Sequence, residues 1–396
     1  MNPICWTEKQ SLFRLFPLII SISFAMDVFV PAIPEMSHFF KTESTTMQAS
    51  LYIFMLTVAL GQLLVGPMAD RFGRRLMALS TAFLFFVGSL LAARAPSVPV
   101  FIVARIIQAS GACGTYLLCF IIVRDNFSTN ACARLFSILS GTNSMVASAA
   151  PIIGGLLLDF TQDWHSGFYF LTLLGFLMTL VAFRYIPNYN YSKPAPSQLR
   201  LPSVMKQIMD NPDFRLFTLI ASTSLLGLYL FCALSPGILM TQLHLNGTEY
   251  GFWFGLNAMT VFIANMIAAR LTYSYPLEKI VLWGLILMIL SCFFMIALNL
   301  HQCSILSFML PMLCLTMGIG ISMGTATALA IKDFERQAGV ATALLGACQF
   351  GLAGIIGIAI AQWTPRALSL AIPVLCFSIL GFVRVTKFSF KLQSNP

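Results

Sequence analysis

Long apolar runs separated by short polar breaks set the pattern of this 396-residue chain. A helix needs about 20 mostly apolar residues to cross the hydrocarbon of a bilayer. The chain divides into twelve windows of that kind: residues 13–35, 47–68, 76–95, 98–122, 133–158, 166–187, 215–238, 249–270, 278–299, 304–329, 337–360 and 366–386. These runs are continuous and punctuated by glycine, whereas a transmembrane barrel is built from short alternating strands. All twelve are therefore predicted as helices. The first exceeds the apolar region of a secretory signal, and the residues after it show no small-residue cleavage pattern, so it too is predicted to remain in the membrane.

The longest polar interval, Asn188 to Phe214, is rich in proline and separates six helices from six. It predicts an all-α integral membrane protein of two pseudo-symmetric six-helix bundles, 1–187 and 215–396. The linker, 188–214, is predicted to be cytoplasmic and to carry a short surface helix near Leu201 to Met209.

Composition strengthens the membrane assignment. Hydrophobic residues make up 58% of the chain and charged residues 9%, against about 25% charged in soluble domains. The net charge of +9 comes from 23 basic residues that fall between the apolar runs instead of forming one patch, so a nucleic-acid partner is not expected. With a cytoplasmic N-terminus, most of them, including Arg71, Arg74, Arg75, Arg124, Arg184, Lys206, Lys332 and Lys391, lie inside. Lys41, Arg94 and Arg366 lie outside, and Arg105 falls within a helix. The positive-inside rule then places both termini in the cytoplasm.

The ten cysteines sit mostly inside apolar stretches without paired spacing, which predicts small buried hydrophobes and neither disulfides nor a metal site. No nucleophile and base are arranged for covalent catalysis, and no Gly-rich loop ending in Gly-Lys-Ser/Thr is present for ATP. No enzyme activity and no cofactor are predicted. Energy must come from an ion gradient or from the substrate's own gradient. Two six-helix halves point to a transporter working by alternating access. An ion channel competes, but the chain has neither a carbonyl-filter signature nor a repeated ring-forming charge.

Two charges stand inside the spans. Asp27 is the acidic residue centred in an apolar window, about fifteen residues into the first. Ionisable groups at that depth generally serve transport pathways or proton relays, so Asp27 is a candidate for proton coupling or substrate contact. A fixed hydrogen bond to a neighbouring helix is the alternative. Arg105 lies about seven residues into the fourth window, with Gln108 and Ala112 on the same helical face. Either it joins a buried network or its guanidinium snorkels to the outer boundary. Transport cavities are mostly apolar with sparse polar groups. On that basis Ser23, Gln48, Tyr52, Tyr116, Tyr229, Asn257, Gln349 and Phe350 are candidate cavity residues.

Three segments carry a family resemblance. Gly61-Gln-Leu-Leu-Val-Gly66-Pro67-Met-Ala-Asp70-Arg71-Phe-Gly73-Arg74-Arg75 follows the second predicted helix and resembles the loop between helices 2 and 3 of the major facilitator superfamily. There the motif holds the cytoplasmic side closed. The resemblance assigns gating to Gly66, Asp70, Arg71, Gly73 and Arg74, with Asp125 as a further member of the cluster. Gly61 and Gly66 are expected to permit close helix approach, and Gly73 a tight turn. Arg105, Gln108, Gly111 and Gly114 match a fourth-helix pattern of the same superfamily. Pro151, Gly154 and Gly155 resemble its antiporter motif in helix 5, with Ala150 where glycine is usual, although a kink and a packing surface would use the same residues.

Further stretches, among them Met26-Asp27-Val-Phe-Val-Pro31-Ala-Ile-Pro34, resemble the bicyclomycin and chloramphenicol resistance group of drug exporters. That resemblance implies a monomeric exporter in the bacterial inner membrane, exchanging protons for drug-like or amphiphilic small molecules and contacting lipid and protons as it works. A dedicated metabolite or siderophore transporter of the same fold, exporter or importer, is the alternative.

Overall fold

The computed structural model describes residues 6–127, 129–186, 201–300, 304–361 and 366–393. Among them, twelve helices are long and apolar enough to cross a membrane. They are α1 (Glu8–Phe39), α2 (Ser44–Phe72), α3 (Arg74–Ala93), α4 (Val98–Asn126), α5 (Thr129–Thr161) and α6 (His165–Tyr185). After a short amphipathic helix, Leu201–Asp210, come α7 (Pro212–Gln242), α8 (Gly247–Leu271), α9 (Leu277–Leu298), α10 (Ile305–Ile331), α11 (Ala338–Ala361) and α12 (Ala367–Gln393). The protein is all-α and multi-pass, and no sheet occurs among the described residues. Large apolar side chains such as Phe83, Leu173, Phe262 and Phe294 stand exposed on the helix surfaces. In water they would be a liability; in a bilayer they are the lipid-facing coat.

The chain forms two compact units, Met1–Glu43 with Ile53–Leu199 and Ser44–Tyr52 with Arg200–Pro396, each taken over its described residues. The N-terminal end of α2 thus groups with the second unit. Packing repeats between them: α3 lies on α4 and α6 as α9 lies on α10 and α12, and α1 contacts α4 and α5 as α7 contacts α10 and α11. Glycines sit at close helix crossings in both units. A Cβ on Gly111 of α4 would come within 2.3 Å of the Phe85 backbone of α3, and one on Gly318 of α10 within 2.8 Å of the Gly284 carbonyl of α9. With no hydrophobic drive between helices in lipid, such backbone contact supplies the van der Waals energy of association.

The leading helix of each unit is irregular at a matching place. α1 runs Ser21–Asp27, turns through a 3-10 segment Val30–Ala32 at Pro31, and resumes at Ile33–Phe39. α7 changes from α-helix to π-helix at Pro236–Gln242. Proline removes a backbone donor and clashes with the preceding turn, which accounts for both irregularities. The connections that follow each pass through a left-handed non-glycine residue, Lys41 and His244.

At one end of the first unit Phe39, Phe40, Phe101, Trp164 and Phe168 interlock, joining the end of α1 to the start of α4 and the α5–α6 turn. In that turn partial burial pushes the Asp163 carboxyl up, but hydrogen bonds from the backbone and ring of His165 outweigh it and hold it below the usual carboxylate range.

Candidate functional site

The break in α1 is the centre of the site in the first unit. Asp27 ends the Ser21–Asp27 segment and is almost wholly buried, and its Oδ1 has no hydrogen-bond partner among the described residues. Helix α5 fixes this position from behind. A Cβ on Gly154 would lie 1.8 Å from the carbonyl oxygen of Val28, the residue after Asp27. Pro151 and Gly155 are buried in the same stretch of α5. One turn before Asp27, Ser23 donates to Asn143 Oδ1 at 2.8 Å, a second tie between α1 and α5.

Arg105 is fully buried and turns inward instead of snorkelling. Its Nη1 donates to the Ala25 carbonyl at 2.8 Å and to Gln108 Oε1 at 2.5 Å. Gln108 Nε2 donates onward to Ser89 Oγ at 2.8 Å, and Ser89 to the Phe85 carbonyl at 2.7 Å. The guanidinium lies 4.3 Å from the ring centroid of Phe29 and 4.5 Å from that of Phe54, so two aromatic faces replace part of its hydration. Its Nε and Nη2 remain without partners. No ion pair closes between Asp27 and Arg105 among the described residues. The site therefore holds an unpaired acid oxygen and an unpaired cationic edge in one low-dielectric interior. Each unsatisfied buried group costs about 1–3 kcal/mol, more when charged, a strain typical of functional centres.

The second constellation in this unit is at the α2–α3 turn. Gly73 has φ 86°, ψ 153°, a conformation that essentially only glycine adopts. It lets α3 begin at once, bringing Arg74 against two partners. Nε donates to Asp125 Oδ2 of α4 at 2.9 Å and Nη1 to the Ala69 carbonyl of α2 at 2.6 Å. Asp125 also accepts from Arg124 at 3.2 Å. Arg71 points outward over Phe72, and the Asp70 side chain lies outside the described part of the structure. The two motif glycines in α2 differ. A Cβ on Gly61 would approach Cys113 Sγ to 2.9 Å, but one on Gly66 would meet nothing within 4 Å. Close approach is therefore a property of Gly61 alone. Tyr116 is half-buried, its ring 5.2 Å from Phe120.

In the second unit the interior polar groups of the candidate set are uncharged. Asn257 of α8 accepts from Thr316 of α10 at 2.7 Å. Tyr229 of α7 and Phe350 of α11 meet ring to ring at 6.1 Å, and Gln349 beside Phe350 is buried. Gln48 and Tyr52, in the part of α2 that belongs to this unit, are fully buried; Tyr52 lies against Gly357 of α11. Sequence reading missed Asn143, Thr316 and Ser89. Each is a neutral polar residue in an apolar helix, distinguished only by a partner far along the chain.

Comparison with known proteins agrees with this architecture. The chain is 27% identical over 383 residues to a chloramphenicol resistance protein of Pseudomonas aeruginosa, covering 96% of this chain and 90% of that one. It is 26% identical over 362 residues to the multidrug resistance protein MdtL of Salmonella heidelberg (strain SL476), covering 88% and 89%. Among solved structures, a D-xylose-proton symporter superposes with a TM-score of 0.74 at 14% identity over 96% of this chain and 97% of that one, a likeness of fold. A sequence profile described as Major Facilitator Superfamily matches residues 15–358. With its twelve spans in two similarly packed sets, the chain belongs to the Major Facilitator Superfamily.

Proposed function

We propose that this transporter is a proton-coupled antiporter that exports drug-like or amphiphilic small molecules, working as a monomer in the bacterial inner membrane with both termini cytoplasmic. The observation that carries this reading is Asp27, a buried carboxyl with an unpartnered oxygen at the break of α1. In the proposed cycle Asp27 takes a proton from outside and releases it inside, and a substrate, especially a cationic one, competes with that proton. Arg105 supplies the neighbouring positive charge against which the carboxylate form is held. The residue ranges 1–187 and 215–396 act as the two moving bundles, with 188–214 between them. Membership of the drug-resistance group is part of the proposal, supported by its similarity to the chloramphenicol and multidrug resistance proteins at 26–27% identity.

Arg74 and Asp125 are proposed as the cytoplasmic latch. Their pair joins three helix ends within the first unit. Asp125→Asn and Arg74→Gln are expected to slow transport while leaving substrate affinity near the parent value. A double-mutant cycle on thermal stability should give a coupling of about 1–3 kcal/mol. Additive effects together with unchanged turnover would remove the latch role.

The orientation is tested by single cysteines at positions 190 and 391. Both are expected to react with membrane-impermeant thiol reagents from the cytoplasmic face and not in intact cells. Labelling of both from outside would invert the topology and with it the direction assigned to the proton path.

A further inference from the structure

Buried polar side chains are normally paired, and the N-terminal part of α2 departs from that rule. Gln48 and Tyr52 have no measurable exposure, and three of their atoms, Gln48 Oε1, Gln48 Nε2 and Tyr52 Oη, have no hydrogen-bond partner among the described residues. The two residues are four apart in one helix, so they stack on one face a single turn from each other. Tyr52 is also held in place: a Cβ on Gly357 would fall 2.0 Å from Tyr52 Cδ1 and 2.1 Å from Cε1, so the ring lies directly on the α11 backbone. These are neutral donors and acceptors that the described fold leaves unused.

We infer that Gln48 and Tyr52 form a hydrogen-bonding subsite for an uncharged amide- or hydroxyl-bearing part of the transported molecule. Glutamine offers one carbonyl acceptor and two N–H donors, and the phenol one donor and one acceptor. A complementary group must therefore both donate and accept. It must also be neutral, because a charge stripped of water and met only by neutral dipoles is far more costly than a neutral group. The inference rests on the transporter reading and deepens it by naming a neutral hydrogen-bonding chemistry for part of the transported molecule.

The test uses purified full-length protein in nanodiscs with two probes. Chloramphenicol is neutral and carries an amide and two hydroxyls; tetraphenylphosphonium is cationic and has no hydrogen-bonding group. Binding is measured by calorimetry, and thermal stability is measured without ligand, for the parent, Tyr52→Phe and Gln48→Leu. Each variant is expected to weaken chloramphenicol binding about threefold to tenfold, the loss of one neutral hydrogen bond. Tetraphenylphosphonium binding should change by less than about twofold. Ligand-free melting temperatures should hold or rise, because an unsatisfied buried group has been removed. A fall in melting temperature with both probes weakened alike would mean a structural role and overturn the subsite. So would unchanged chloramphenicol binding, or a parent that does not bind chloramphenicol at all. Failure of the proton-coupling reading is separable, since it would appear as parent-like binding of both probes with no proton-linked flux.

Discussion

Asp27→Asn is expected to insert and fold like the parent yet to lose gradient-driven transport down to the level of protein-free liposomes. Asparagine keeps the size of the side chain and much of its hydrogen-bonding geometry while removing ionisation. Asp27 has an unpartnered buried oxygen and no ion pair among the described residues, so the substitution breaks no described structural contact. It also removes a carboxyl whose burial is costly to the fold, and thermal stability should therefore be maintained or raised. Binding of a neutral compound is expected to persist because it has no charge to pair with the lost carboxylate, whereas cationic compounds should bind more weakly. Proton-linked flux with one neutral and one cationic substrate, at matched protein density, separates the roles. Parent-like coupling for both substrates would reject Asp27 as the proton carrier.

Gly154→Ala is expected to be the most damaging one-carbon change in the first unit. The added carbon would lie 1.8 Å from the Val28 carbonyl oxygen and 2.8 Å from its carbonyl carbon. A backbone atom cannot rotate away as a side chain would, so α1 must move at the point where it presents Asp27. Overpacking of this kind typically costs about 1–3 kcal/mol, occasionally more. The loss of transport should exceed what the stability loss explains, because the displaced segment carries Asp27, the carboxyl proposed for coupling. Gly66→Ala is the control. A methyl there meets nothing within 4 Å, and alanine favours helix over glycine by about 1 kcal/mol, so stability should be unchanged or improved. The comparison is made by melting temperature and initial transport rate; equal effects of the two substitutions would show that the α1–α5 contact does not position Asp27.

The twelve spans were legible because hydrophobicity over about 20 residues is a local property, and each predicted window falls within or largely over a helix that forms. Their ends were less legible. The first helix extends from Glu8 to Phe39 where the apolar window covers 13–35, and the fifth reaches Thr129 and Thr161 where the window covers 133–158. Helices continue beyond the hydrocarbon into water and headgroups, where hydropathy no longer reports them. The short helix Leu201–Asp210 forms where a surface helix was expected near Leu201 to Met209. The π-helix at Pro236–Gln242 was not, because a change of one residue per turn leaves the local composition unaltered.

Among the candidate residues, the burial of Asp27 could be read from its depth in the first window alone. The direction taken by Arg105 could not: seven residues into a span, the same side chain can reach the boundary or turn inward, and the choice is made by the Ala25 carbonyl and Gln108. Partners such as Ser23 with Asn143 and Asn257 with Thr316 lie far apart in the chain, and no local spacing encodes them. The glycines teach the same lesson. Gly61 and Gly66 look alike in sequence, but only Gly61 faces a neighbouring helix closely enough to exclude a side chain.

The most direct test of proton-coupled export is substrate-driven proton movement in liposomes containing the parent protein and a trapped pH indicator, with no imposed pH gradient and the membrane potential clamped. An outwardly or inwardly directed gradient of tetraphenylphosphonium or chloramphenicol is applied, and internal pH is followed. Proton flux opposite in direction to the substrate, saturating with substrate concentration and absent in Asp27→Asn, is the predicted result. Substrate movement with no proton flux, or with protons travelling in the same direction, would contradict it.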